Sequence, residues 1–117
     1  MPGPDRRPEP SSAAQAKIER FQALHDKDPD NPLHLFALGQ ACLAAEDHER
    51  AAATFATCLE RDPEWMMAAI RRGRCLVQLG RFEEARASLE LGADLAVRQG
   101  HEEPFEEIRE WLDQIPG

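Results

Sequence analysis

Residues 65–81 hold Arg71, Arg72, Arg74 and Arg81 and no carboxylate, in a chain whose formal net charge is −8. Guanidinium groups presented together fork onto carboxylates through paired N–H donors. That stretch is therefore suited to recognising an acidic group. Cys42, Cys58 and Cys75 offer a second kind of chemistry, but an odd count without a C-x-x-C pair is neither a disulfide framework nor a zinc site. Each falls on an apolar helical stripe, where a reduced thiol fills core space. A redox pair between Cys42 and Cys58, on two facing helices, is the sharper alternative. His25, His34, His48 and His101 are scattered near predicted helix ends without ligand spacing. With no nucleophile–base pair, metal cluster or phosphate-cradling glycine loop, the residues predict no enzyme, no cofactor and no metal.

The elements that would position these groups are helices. Residues 1–11 carry Pro2, Pro4, Pro8 and Pro10 among charges and almost nothing apolar, so they read as a disordered tail. Ser12 and Gln15 form a candidate capping box, followed by Ile18, Phe21 and Leu24 at helical spacing, which predicts a helix over 12–27. Asn31 and Pro32 supply an N-cap and a first helical residue for a second helix over 32–45. A third is predicted from residue 47 or 48 to 61, a fourth over 64–79 with Gly80 as its stop, and a fifth over 82–99 ending at Gly100. Pro104 opens a sixth, with Phe105, Ile108, Trp111, Leu112 and Ile115 on one side. No β-alternation appears, so the fold class is all-α.

The spacing of key residues orders these helices. Phe21, Phe55 and Leu89 recur at one fixed interval, and the same interval separates Pro29 from Pro63, Gly39 from Gly73, and Ala51 from Ala85. A period of that length, about 34 residues, marks stacked helix–turn–helix units that bury their apolar faces on one another. Glycine and alanine let paired helices approach, and Phe55 and Leu89 are expected to plug the gap to the neighbouring unit. The length of 117 residues suits one domain, and no apolar run approaches the roughly 20 residues of a bilayer span. The acidic balance argues against nucleic acid, and no secretory signal is visible. The expectation is a cytoplasmic protein without nucleic-acid or membrane partners.

Residues 32–65 and 66–99 resemble two consecutive tetratricopeptide repeats. The first offers Leu35, Leu38-Gly39, Cys42, Ala51, Phe55, Cys58 and Pro63 at the family's places, and the second Gly73, Leu76, Leu79-Gly80, Phe82, Ala85 and Leu89. The resemblance is nearest to small stand-alone bacterial members. It implies an antiparallel helix-pair solenoid of about six helices within a single domain over 12–115: a leading half-repeat at 12–31, the two repeats, and a capping helix at 101–115. About three repeats are usually needed for stability, so the end helices are expected to act as caps. Glu102, Glu103, Glu106, Glu107, Glu110 and Asp113 would then face water. Ala69, Arg72, Gly92 and Val97 depart from the family pattern; Val97, in place of a closing proline, implies a longer fifth helix.

In this family the first helix of each repeat lines a concave groove. Carrying the phase over places Leu33, Phe36, Gln40 and Leu43 there from the first repeat, and Met67, Ile70, Arg71, Arg74 and Gln78 from the second. The implied function is a protein–protein interaction module, adaptor or chaperone-like. Its ligand would be a partner's peptide segment, extended or helical, with apolar anchors and an acidic group. The competing reading is that Phe36, Leu33, Met67 and Ile70 are partly covered by the chain's own helices, with the arginines a solvated face. Phe36 and Gln40 stand where one subtype carries Lys and Asn for a C-terminal carboxylate, so that clamp is not expected. The alternative is a structural protein that pairs with itself through Trp65-Met66-Met67, as a monomer or weak homodimer. A secretion chaperone is a variant of the binding reading.

Overall fold

The computed structural model describes residues 12–117, with side chains from Ala13 onward. The expected disordered tail and the Ser12 side chain of the capping box lie outside that description. The described residues form α1 (Ser12–Lys27), α2 (Pro32–Ala44), α3 (His48–Arg61), α4 (Met66–Gln78), α5 (Phe82–Gln99) and α6 (Pro104–Asp113), with no strand among them. Turns of three or four residues join them, and each helix packs on the next, with α6 also touching α4.

Local chemistry explains the boundaries. Asn31 Oδ1 accepts the Leu33 N–H at 2.9 Å with Pro32 at the first helical position, which starts α2. Asp47 Oδ1 accepts the Arg50 N–H at 3.2 Å and starts α3. The fourth helix begins two residues later than predicted. Asp62 Oδ1 takes the Glu64 N–H at 3.1 Å and Asp62 O the Trp65 N–H at 3.1 Å, which holds residues 62–65 in a turn. The fifth helix is the long one expected, running to Gln99.

Three helices end alike. Glu46, Gly80 and Gly100 have φ of 61°, 74° and 75°, and the next residue's N–H reaches back to Cys42 O, Leu76 O and Ala96 O, each at 2.9 Å. This is the six-to-one closure that satisfies an orphan carbonyl. Gly80 and Gly100 were predicted stops. Glu46 lies one repeat period before Gly80 and takes the same left-handed conformation with a side chain attached, where a Cβ crowds the carbonyl.

Phe55, Ile70, Leu76, Leu89 and Leu95 are the largest fully buried apolar side chains besides the thiols, and burial contributes roughly 1.5–3 kcal/mol for each. A Cβ on Gly39 would lie 2.8 Å from the Phe55 ring, and one on Gly73 2.6 Å from Leu89 Cγ. Each plug therefore presses on the glycine of its own helix pair. The buried Ser88 Oγ donates to Ala69 O at 2.7 Å and ties α5 to α4.

Candidate functional site

The nine side chains placed in the groove occupy α2 and α4 but do not share one environment. Leu33 is 67% exposed, and Gln40 and Gln78 are exposed. Met67, Arg71 and Arg74 are half-buried. Leu43 and Ile70 are buried, Ile70 at 1% exposure. These two turn to the core and cannot touch a ligand from where they stand. Ile70 sinks because Gly92 leaves it room: a Cβ there would meet Ile70 Cγ1 at 2.8 Å and Ile108 Cδ1 at 3.8 Å.

Phe36 is half-buried for a different reason. Its ring stacks on Trp65 at 4.9 Å between centroids and 17° between planes, and meets Phe55 edge-on at 5.4 Å. Both geometries suit the aromatic quadrupole. Trp65 is thus a plug between α2 and the start of α4. Met66 beside it is 9% exposed, so the Trp65-Met66-Met67 run is not an open apolar patch.

The arginines are not a free solvated face. Arg71 Nη1 donates to Glu107 Oε2 of α6 at 3.1 Å, with the arginine side chain 20% exposed. Arg74 lies over the Trp111 ring with its guanidinium carbon 5.5 Å from the centroid, and its Nε makes no hydrogen bond. Glu107, expected to face water, instead points back to α4. Arg72 holds its stem partly buried and its Nη2 3.8 Å from Glu84 Oε1. Arg81 clasps Glu84 through two contacts, at 2.8 and 2.9 Å, and reaches Glu49 at 3.2 Å. This hydrogen bonding holds the Glu84 carboxyl below the ordinary carboxylate range.

The remaining candidate chemistry has a clear environment. All three thiols are free and fully buried, so Cys42 and Cys58 form no bridge. Desolvation pushes Cys58 and Cys75 up to about 11 and raises Cys42 as well. They are protonated near neutrality and are poor nucleophiles. Among the described residues no three or more His, Cys, Asp or Glu side chains gather where a metal would bind, and no helix is long and apolar enough to cross a membrane.

The arrangement is that of a stacked helix-pair array with a polar and apolar first-helix face. The profile of the family described as anaphase-promoting complex, cyclosome, subunit 3, matches residues 12–91. The chain is also 31% identical over 98 residues to the TPR repeat-containing protein PA0015 of Pseudomonas aeruginosa, covering 84% of this chain and 93% of that one. The chain belongs to the tetratricopeptide repeat family. Among solved structures, the Yersinia enterocolitica type III secretion translocator chaperone SycD, in a crystal form described as an alternative dimer, superposes with a TM-score of 0.76. That match covers 88% of this chain and 79% of the other at 22% identity, a likeness of fold. Family membership accounts for the repeat register; it does not account for the contacts between α6 and the two arginines, which the repeat pattern left invisible.

Proposed function

We propose that this chain is a protein-interaction module that holds a segment of a partner against the face formed by α2 and α4. The observation that carries this reading is the pair Arg71 and Arg74, met by a carboxylate and an aromatic ring one helical turn apart on α6. The two arginines thus favour an acidic group next to an apolar one. Glu107 takes one N–H of Arg71, and a guanidinium carries five, so donors remain for a partner's carboxylate. Leu33, exposed, and Met67, half-buried, supply apolar contact. Gln40 and Gln78 add polar contact along the same face. Leu43 and Ile70 act beneath it as support.

A ligand of this face is a protein segment with apolar anchors and at least one acidic side chain. A chaperone-like role, holding a client segment, would use the same surface; the Yersinia neighbour is a translocator chaperone. No catalytic role is assigned to any residue.

The test is capture of partners from the native host's lysate by wild type, Leu33→Asp and Arg74→Glu, with helicity followed by circular dichroism. Leu33 is exposed, so its variant keeps the fold. A protein held by wild type and lost by both variants is the expected result. Equal capture by all three overturns the assignment of this face.

A further inference from the structure

Both ends of the helix stack present a surface that an inner helix would have covered. In the interior α2 lies between α1 and α3, and α4 between α3 and α5. At the C-terminal end, a cleft of about 490 Å³ opens between α5 and α6, floored by Ala93, Phe105, Ile108 and Leu112. Its charged lining is Glu102 and Glu106 against Arg109. Val97, one turn along α5 from Ala93, is 67% exposed, and Phe105 is 37% exposed. With Leu33 these are the exposed large apolar side chains among the described residues.

The opposite end carries the complementary chemistry. On α1 the exposed Ala13, Ala16, Lys17, Arg20, Ala23 and Lys27 recur at three- and four-residue steps on the face away from the buried Ile18. A second cleft, of about 590 Å³, lies along this helix, lined by Arg20, Ala23, Leu24 and Lys27 with one carboxylate, Asp26. Glu19 and Asp26 stand at the margin of the stripe, and no carboxylate lies within it. Short alanine side chains let a helix approach closely, and the lysines and arginine match the carboxylates at the α5–α6 rim.

We propose that α1 of one copy seats in the α5–α6 cleft of a second copy, joining the chains head to tail. Its alanines cover Phe105, Val97 and Leu112, while Lys17, Arg20 and Lys27 face Glu102 and Glu106. The contact is heterologous: the surfaces differ, a joined pair keeps one free cleft on one copy and one free α1 stripe on the other, and association continues past two chains unless the rotation closes a ring. It leaves the α2–α4 face open and is independent of the function proposed for that face.

Sedimentation equilibrium of the full chain tests this. Wild type shows a weight-average mass that rises above 13.1 kDa with concentration and falls as salt is raised from about 0.05 to 0.5 M, since exposed charge pairs are screened. The double variant Arg20→Glu, Ala23→Glu stays at the mass of one chain. So do Phe105→Glu and Val97→Glu, the latter at a site already open, where folding of α6 is not at stake. Mixing the α1 variant with either cleft variant restores one contact and halts at two chains, whereas wild type continues past two, which a symmetric dimer would not do. A wild type that stays monomeric up to about 1 mM, weaker than any useful self-contact, overturns the proposal. So does a variant that associates as wild type does, or a mixture that remains monomeric.

Discussion

In the α2–α3 pair the ring of Phe55 lies on Gly39; one repeat period further along, in the α4–α5 pair, Leu89 lies on Gly73. From Phe55 the first pair continues through Phe36 to Trp65, an aromatic chain that reaches the start of α4. The second pair has Ile70 where the first has Phe36 and Gly92 where it has Cys58, and Ile108 of α6 lies against that glycine. The first pair is thus joined to its successor by stacked rings, and the second is closed by aliphatic contact with a terminal helix. One register accepts either filling because the glycine sets the helix separation and the plug has only to match it.

Truncating the plugs tests that difference most severely. Phe55→Ala is expected to lower unfolding free energy by about 3–5 kcal/mol, the range for a fully buried aromatic ring. Leu89→Ala should lower it by less, toward the low end of the range of about 2–5 kcal/mol for a buried leucine. Removing Phe55 also takes the edge contact from Phe36 and so loosens Trp65, whose fluorescence reports it when Trp111, the second tryptophan, is replaced by Phe. Urea denaturation of the two variants measures the order. Equal losses, with the Trp65 signal unmoved, would show that the aromatic chain does not join the pairs.

A smaller contrast sits in the turns. Glu46 and Gly80 hold the same left-handed conformation at equivalent places, and only glycine does so without a Cβ penalty. Glu46→Gly is expected to stabilise by about 1 kcal/mol, and Gly80→Ala to destabilise by about as much. Opposite signs in thermal or urea unfolding confirm that the first turn carries strain that the second lacks. A loss of stability in Glu46→Gly would mean that the Glu46 side chain contributes more than its backbone conformation withdraws.

What was legible in the sequence was mostly local. Asn31-Pro32, Gly80 and Gly100 mark helix ends because a cap or a left-handed residue acts within a few positions, and the periodic recurrence of Gly39 and Gly73 announced the close helix pairs. Glu46 could have been read from its register with Gly80, though its residue type gives no hint. The site was harder. Periodicity told which side of α6 is apolar, but not that its flank would turn Glu107 to Arg71 and Trp111 to Arg74, since that depends on how a neighbouring helix is tilted. Ile70 carries the same limit: its phase matches Phe36, and only the missing side chain at Gly92 lets it sink. Residues on the edge of an apolar stripe are assigned by their neighbours.

The thiols offer the mildest test of the same comparison. Cys75 in the second pair stands where the first, one repeat period earlier, has Ala41. Burial holds Cys75 and Cys58 at about 11, against an ordinary value of 9.0. A raised folded-state pKa means that the native chain binds the proton more tightly than the unfolded one. The stabilisation is therefore whole below about pH 9 and is lost as pH rises towards 11. Cys75→Ala converts the second pair to the residue of the first. Its unfolding free energy should fall less steeply than wild type between pH 9 and 11, while the Cys58 and Cys42 contributions persist. Identical slopes for the two proteins would mean that Cys75 meets solvent before the chain unfolds, and that the α4–α5 pair opens locally ahead of the rest.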